Sequence, residues 1–363
     1  MRTLGVEEEF LVVDEKTGVP LPLGGQIVDL HKHHDFGTQF TFTTEIQREQ
    51  VELVTPVCGS LEMLESSLRN GRSHADFLAR QLGARIVAVG TSPVPVKPHI
   101  TQTRRYEEIA ARFGLTAHEQ LTCGYHVHVA VASDEEGVGV LDRIRVWLPV
   151  LLALSANSPY WNGCDTGYAS YRREVWMRLP LAGPTEVFGS AAAYHRQVAE
   201  MVATNVLVDE GMAYFDARLC RNHPTVEIRI ADVCPDTDVA VLIAALARAL
   251  VETAARQWAT GECAPAASSA MVQLAMWRAS KSGLQSELLD PKDWRPRKAT
   301  EVVAALFDHV RPVLAEFGDE RRAIASLDCL LTEGTGAQRQ RDAYRESGKC
   351  SVVVTEAISR TLI

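Results

Sequence analysis

Residues 4–13 read Leu-Gly-Val-Glu-Glu-Glu-Phe-Leu-Val-Val, three consecutive acids set inside an apolar run. The run predicts a strand, and on a strand successive side chains point to opposite faces. Glu7 and Glu9 then share one face while Glu8 points the other way. Two like-facing carboxylates about 6–7 Å apart repel each other, and buried acids are rare unless something pairs with them. A hard cation bound through oxygen is the simplest partner. The competing reading of this stretch alone is a solvated edge strand with an acidic face.

Three other stretches carry the same kind of pattern. Thr225-Val226-Glu227-Ile228-Arg229-Ile230 alternates cleanly, with Val226, Ile228 and Ile230 on one face and Thr225, Glu227 and Arg229 on the other. One face packs on the core, and the other meets a site or a solvated ion-pair ladder. In Gly124-Tyr125-His126-Val127-His128-Val129 the two histidines point together. They suit Zn²⁺ or Mn²⁺ as a pair, or one of them completes an oxygen-rich site. Residues 43–55 supply Glu45, Glu49 and Glu52. Glu45 and Glu52 are seven positions apart, so one continuous strand would set them on opposite faces. A bulge, a turn, or a place for Glu45 ahead of the strand proper would let both meet one site. Glu52, flanked by Val51 and Leu53, is the stronger candidate. Glu7, Glu9, Glu52, His126 and Glu227, with Arg229 beside them, fit hydrated octahedral Mg²⁺ or Mn²⁺ better than structural zinc. Phosphoryl chemistry uses such sites, and arginine grips phosphate or carboxylate with two parallel hydrogen bonds.

The remaining sequence predicts helices over 61–82 (one bent or two, because of Gly71), 104–113, 138–154, 191–202 and 239–258. Further helices are expected over 270–280, 298–317, 319–331 and 351–361. Strands are expected over 40–55, 85–89, 121–132 and within 216–230. Residues 17–30 read as turns, and 31–37, with His31, His33 and His34, as a polar surface loop. The strands lack a regular βαβ rhythm, so the fold class is α+β with an antiparallel or mixed sheet. One domain over 1–363 is expected, with 260–269 as the best internal boundary.

A net charge of −9 over 363 residues argues against nucleic acid or an anionic membrane as the main partner, though not against a nucleotide. No apolar run reaches the ~20 residues of a spanning helix. The first strand begins almost at Met1 with no signal peptide ahead of it, and the eight cysteines form no C-x-x-C pair. Reduced thiols and a cytoplasmic location are the expectation. Cys123 reads as a small buried residue rather than a reactive thiol. There is no G-x-x-x-x-G-K-[ST] loop.

The ordered set of motifs resembles the bacterial carboxylate–amine ligases of the glutamate–cysteine ligase type 2 family, among the glutamine-synthetase-like ligases. The matching stretches are G-V-E-E-E-F at 5–10, T-T-E-I-Q-R-E-Q-V-E-L-V-T at 43–55, C-G-Y-H-V-H-V at 123–129 and Y-R-R-E-V-W at 171–176. They continue with T-V-E-I-R at 225–229, W-R-A-S-K-S-G-L at 277–284 and G-T-G-A-Q-R-Q-R at 334–341. The resemblance implies a mostly antiparallel sheet with the active site on its concave face and helices behind. It implies ATP-dependent joining of a small-molecule carboxylate, glutamate by default, to an amine such as that of cysteine. Glu7, Glu9, Glu52, His126 and Glu227 then fall at metal positions, with Glu45 beside them. Arg229 falls where phosphate is held, and Arg172 or Arg173 where the substrate carboxylate is held. The late segment, with Arg339 and Arg341, is a candidate nucleotide contact or else a helix-capping turn. A homo-oligomer is compatible with the sequence. The alternatives are a guanidino-kinase-type phosphotransferase and a non-catalytic metal or amino-acid binding protein.

Overall fold

The computed structural model describes residues 1–33 and 37–363, and it sets the acidic first strand in the middle of a seven-stranded sheet. The strands are β1 (Leu4–Val13), β2 (Thr41–Thr44), β3 (Gln50–Val54), β4 (Arg85–Val87), β5 (Gly124–Ala130), β6 (Tyr160–Trp161), β7 (Cys164–Asp165), β8 (Ala217–Leu219), β9 (Thr225–Asp232), β10 (Glu287–Leu289) and β11 (Pro296–Lys298). β6–β7 and β10–β11 form two small hairpins; the others make the main sheet in the order β2-β3-β1-β5-β9-β8, with β4 also on β1. Every pairing in it is antiparallel. Leu11 meets Gln50 of β3 on one edge and Val87 of β4 on the other. β4 therefore continues the edge that β5 occupies along Leu4–Glu8.

The register decides what each face carries, because directly opposed residues of an antiparallel pair point the same way. Glu9 stands opposite Glu52, Glu7 opposite His126, and Glu227 opposite both His128 and Arg218. The other face is apolar: Val6, Val127, Val129, Val226 and Ile228 belong to one buried cluster with the helices Leu61–Gln81 and Thr237–Ala259. The Tyr125 hydroxyl donates to Ala240 O at 2.9 Å, fastening β5 to the second of these helices.

Glu8 lies on the helix face and is fully buried. Its carboxylate accepts two hydrogen bonds from Arg72 of the helix Leu61–Gln81, Nε at 2.9 Å and Nη2 at 2.5 Å. Arg72 also donates to Cys234 O and Thr361 O, so one buried guanidinium joins β1, the end of β9 and the last helix, Cys350–Thr361.

The structure corrects several expectations. Residues 61–81 form one helix through Gly71, where a Cβ would lie 2.5 Å from Leu53 Cδ2; the glycine marks close approach to β3 rather than a bend. Within the expected turns of 17–30 a helix runs from Gly24 to His33, taking in His31 and His33; His34 lies outside the described residues. Gly24 misled because it too serves close approach, its Cβ position being 1.8 Å from Gln50 O. The stretch 40–55 is a hairpin of β2 and β3, the turn falling between Thr44 and Gln50. The stretch 138–154 is two helices, Asp134–Ile144 and Leu148–Ser155, with Pro149 in the first turn of the second. The segment 334–341 opens a helix, Gly336–Ser347, through a capping box of Thr335 and Gln338. Residues 261–268 have no regular structure, and the helices on either side, Thr237–Ala259 and Ser269–Ser282, feed the same buried cluster.

Candidate active site

The polar face of the sheet lines a cavity of about 250 Å³ walled by Glu7, Glu9, Glu45, Glu52, His126 and Arg229, with Tyr106, Trp176, Tyr214 and Arg218 around them. A larger cavity of about 1030 Å³ adjoins it, sharing Glu7, Arg105, Gly211 and Arg218, and reaches His128 and Glu227. Glu45 enters because the chain turns there: β2 ends at Thr44 and β3 begins at Gln50. The turn resolves the parity conflict between Glu45 and Glu52. Glu49 goes elsewhere, buried against His99 Nδ1 at 2.6 Å.

Two groups of ligand atoms form here, each with its members within 4.8 Å of one another: Glu9, Glu52 and His126, and Glu7, His126 and Glu227. His126 belongs to both. Its Nδ1 contacts Glu7 Oε2 at 3.1 Å, and its buried Nε2 has no hydrogen-bond partner and lies 3.9 Å from Glu9 Oε1. Burial and the charge of Arg229 push the His126 imidazole down, toward the neutral form that ligates. An orphaned imidazole nitrogen among carboxylates fits an oxygen-preferring divalent ion.

The acids divide by environment. Burial first, then the charges of Glu9 and Glu7, raise Glu45 to about 8. Burial and the charges of Glu45, Glu7 and Glu9 raise Glu52 as well, against a hydrogen bond of 2.7 Å from Thr43 Oγ1. Burial would also raise Glu7 and Glu227, but His126 and His128 hold Glu7 well below the usual range, and Arg229 and Arg218 do the same for Glu227. Burial would lower His128, yet Cys220, Glu7 and Glu227 hold it at about 10. Arg218 grips Glu227 through Nε at 2.7 Å and Nη2 at 3.3 Å, and Arg229 Nη1 bonds the same carboxylate.

A pH dependence of stability follows. An acid whose folded value is raised above the ordinary 4.5 stabilises fully below 4.5, and that contribution is lost as pH rises through about 8. Glu7 and Glu227, being lowered, act oppositely and below that window. The metal-free protein is expected to lose stability between pH 5 and 8, and Mg²⁺ to raise the melting temperature more at pH 8 than at pH 6. Thermal melts with and without millimolar Mg²⁺ check this, with Glu45→Gln expected to flatten the metal-free slope. Equal Mg²⁺ shifts at both pH values would contradict it.

Arg172 and Arg173 part company. Arg172 is buried beside the site, its guanidinium 5.8 Å from the Trp176 ring, which Arg229 also approaches at 6.0 Å. It donates to the carbonyls of Ile230 and Arg229, and its Nε is unpartnered. It passes directly over Gly124, where a Cβ would meet Arg172 Nη2 at 2.2 Å. Arg173 turns away to Asp216 at 3.4 Å and Gln273 at 3.1 Å. Arg339 and Arg341 also lie outside the acidic cleft, committed to Asp236 and Glu333 and to Asp165 respectively. Neither lines the acidic cavity, and the segment opens a helix through its capping box. Arg105, Arg218, Tyr106 and Tyr214 escaped the sequence reading. Arg218 had one faint signal, its place between Ala217 and Leu219 on a strand only three residues long. Cys123 is fully buried just ahead of β5.

Solved structures share this fold. A bifunctional glutathione synthetase from Pasteurella multocida matches at TM-score 0.72 with 16% identity, over 99% of this chain and 52% of that one. A glutamate–cysteine ligase from Francisella tularensis in complex with AMP matches at TM-score 0.64 with 15% identity, over 99% and 89%. With homologues at far higher identity, fold and cleft define an ATP-dependent carboxylate–amine ligase. The chain belongs to glutamate–cysteine ligase family 2, whose model matches residues 3–357. A relative from Streptomyces coelicolor, provisionally named glutamate–cysteine ligase 2, is 48% identical over 361 residues, 99% of each chain. One from Paenarthrobacter aurescens, provisionally named glutamate–cysteine ligase 2-1, is 46% identical over 367 residues, 99% of this chain and 95% of its own. No helix among the described residues is long and apolar enough to cross a membrane.

Proposed function

We propose that this protein activates the side-chain carboxylate of glutamate, or of a closely similar acid, with ATP and joins it to an amine such as that of cysteine. What supports this most is the convergence of Glu7, Glu9, Glu52, His126 and Glu227 from four strands on one cleft, with Arg229 among them. The acid and amine come from the names of the relatives.

In the first step a carboxylate oxygen attacks the γ-phosphorus of ATP, the bond from that phosphorus to the β,γ-bridging oxygen breaks, and ADP leaves an acyl phosphate. In the second the amine nitrogen attacks the acyl carbon, the carbon–oxygen bond to phosphate breaks, and the nitrogen sheds a proton as the amide forms. Glu9, Glu52 and the free Nε2 of His126 would hold one divalent ion, Mg²⁺ or Mn²⁺, and Glu7 and Glu227 another, with Glu45 beside the first and the His126 Nδ1–H oriented by Glu7. Bound there, the ions would neutralise charge on the phosphate oxygens. Arg229, fixed by Glu227 and stacked near Trp176, grips the transferred phosphoryl group. Arg172 orients the substrate carboxylate. No protein nucleophile takes part.

The test is incubation with ATP, Mg²⁺, glutamate and a pool of amines, followed by mass spectrometry. One new amide per ADP is expected, with sustained ADP turnover requiring both acid and amine. No amide from any amine in the pool while ADP is turned over, or no ADP under any mixture, would overturn the proposal.

Gly124→Ala probes the role of Arg172. The added methyl would lie 2.2 Å from Arg172 Nη2 and 3.0 Å from His126 Nε2, so it displaces the guanidinium and crowds the imidazole, and misplacement by about 1 Å costs roughly 10²-fold in rate; an Mg²⁺-induced rise in melting temperature equal to wild type would assign the loss to Arg172. We expect kcat/KM for the acid to fall by about that factor while the fold persists, as steady-state kinetics and circular dichroism would read. Unchanged kinetics would remove Arg172 from carboxylate binding.

A further inference from the structure

A third cluster lies on the same sheet face, one strand pair away from the acidic centre. Cys220 Sγ, His128 and Glu227 bring a sulfur, a nitrogen and an oxygen within 4.8 Å of one another. We propose that these three residues form a site for a soft divalent ion, Zn²⁺ or Cd²⁺, whose occupation silences the enzyme by drawing Glu227 out of the catalytic set.

The donor set differs from the two groups described above. Those are carboxylates with one imidazole, suited to Mg²⁺ or Mn²⁺, whereas thiolate with imidazole and one carboxylate selects zinc-like ions. Tetrahedral zinc places neighbouring ligand atoms roughly 3.5 Å apart, so the three side chains need close by only about 1 Å.

The surroundings hold the donors in place. Cys220 follows β8, and its backbone N–H donates to Thr225 O at 2.9 Å, closing the turn into β9. The Thr225 hydroxyl contacts His128 Nδ1 at 3.1 Å, leaving Nε2 directed at the cluster. Orientation of a ligating imidazole through its other nitrogen is the usual support of a metal site. Nε2 is buried and makes no hydrogen bond; it lies 3.4 Å from Glu7 Oε1 and 4.0 Å from Glu227 Oε1, so an entering ion replaces the Glu7 ion pair. All three residues line the larger cavity, which gives an ion a way in and leaves its fourth position open. An entering ion displaces the imidazole and thiol protons.

Glu227 is the shared element. It belongs both to this cluster and to the group with Glu7 and His126. A soft ion held by Cys220 and His128 therefore competes for a carboxylate that catalysis needs. Inhibition rests on the ligase reading; binding does not.

Binding is tested first, with no turnover involved. In full-length protein whose exposed Cys164, Cys263 and Cys329 are changed to serine, Cd²⁺ titration is followed by the thiolate-to-metal absorption band. One band saturating at one ion per chain and absent in Cys220→Ser is expected, with millimolar Mg²⁺ raising the Cd²⁺ concentration needed to reach it, because both ions draw on Glu227. No band, or a band that survives Cys220→Ser, would overturn the site. The second arm is Zn²⁺ inhibition of amide formation, each variant normalised to its own rate in Mg²⁺. The half-inhibitory Zn²⁺ concentration is expected to rise about tenfold or more in Cys220→Ser, as loss of a metal-site residue commonly costs 10–100-fold in affinity. Equal sensitivity with the Cd²⁺ band intact would leave the site standing and overturn the inhibitory mechanism.

Discussion

Glu52→Gln is expected to lower amide formation by roughly 10³-fold or more while leaving the fold intact. An ion held by carboxylates supplies several kcal/mol of charge stabilisation to a transferring phosphoryl group, and about 4 kcal/mol corresponds to 10³ in rate. The variant keeps its fold for a reason particular to this site. Burial and neighbouring carboxylates raise Glu52, which favours its neutral form in the metal-free protein. Glutamine reproduces that neutral form in shape and can keep the contact with Thr43. The metal-free melting temperature should be unchanged or slightly higher, and most of the Mg²⁺-induced rise should vanish. Rate assays beside thermal melts separate the two effects. Wild-type turnover in this variant would remove Glu52 from the site.

The second large effect concerns stability. Arg72→Met is expected to cost about 3–5 kcal/mol, because it leaves Glu8 charged and unpaired in the core. Arg72 and Glu8 are both at most 1% exposed. Changing both partners together, Arg72→Met with Glu8→Met, should recover much of that loss, since apolar residues of similar volume often replace a buried pair at little cost. Recovery should stop short of complete, because the carbonyls of Cys234 and Thr361 lose a donor and each such loss costs about 1 kcal/mol. Urea titration reads both variants. A single-variant loss below 1 kcal/mol would show that solvent reaches the pair.

The contrast between Glu8 and its neighbours shows how far the sequence could be read. Alternation alone assigned Glu7 and Glu9 to one face and Glu8 to the other, and likewise separated Glu227 and Arg229 from Val226 and Ile228. That parity is a property of the strand backbone and needs no knowledge of neighbours. It failed where the chain stopped being a strand. Glu45 and Glu52 needed a bulge or a turn to meet, and the turn after Thr44, which reverses the chain between them, supplies it. Glycines at 24 and 71 read as breaks, whereas both permit close contact with β3, which only the packed structure reveals. The arginines were the hardest. Arg172 and Arg173 are adjacent in a short helix, and one residue of rotation sends one to the backbone of β9 beside Trp176 and the other to Asp216. Arg339 and Arg341 carried the charge that a nucleotide contact needs but had acids of their own to meet. Arg105 and Arg218 reach the cleft from a helix and a short edge strand whose placement depends on tertiary contacts.

Everything rests on carboxylates from separate strands, with the free nitrogen of His126, holding two divalent ions in one cleft. Electron paramagnetic resonance of bound Mn²⁺ tests this most directly, counting ions per chain in wild type, Glu52→Gln and Glu227→Gln. Two ions in wild type and one in each variant is the predicted result. A wild-type chain that binds no Mn²⁺, or variants that bind as many ions as wild type, would contradict it.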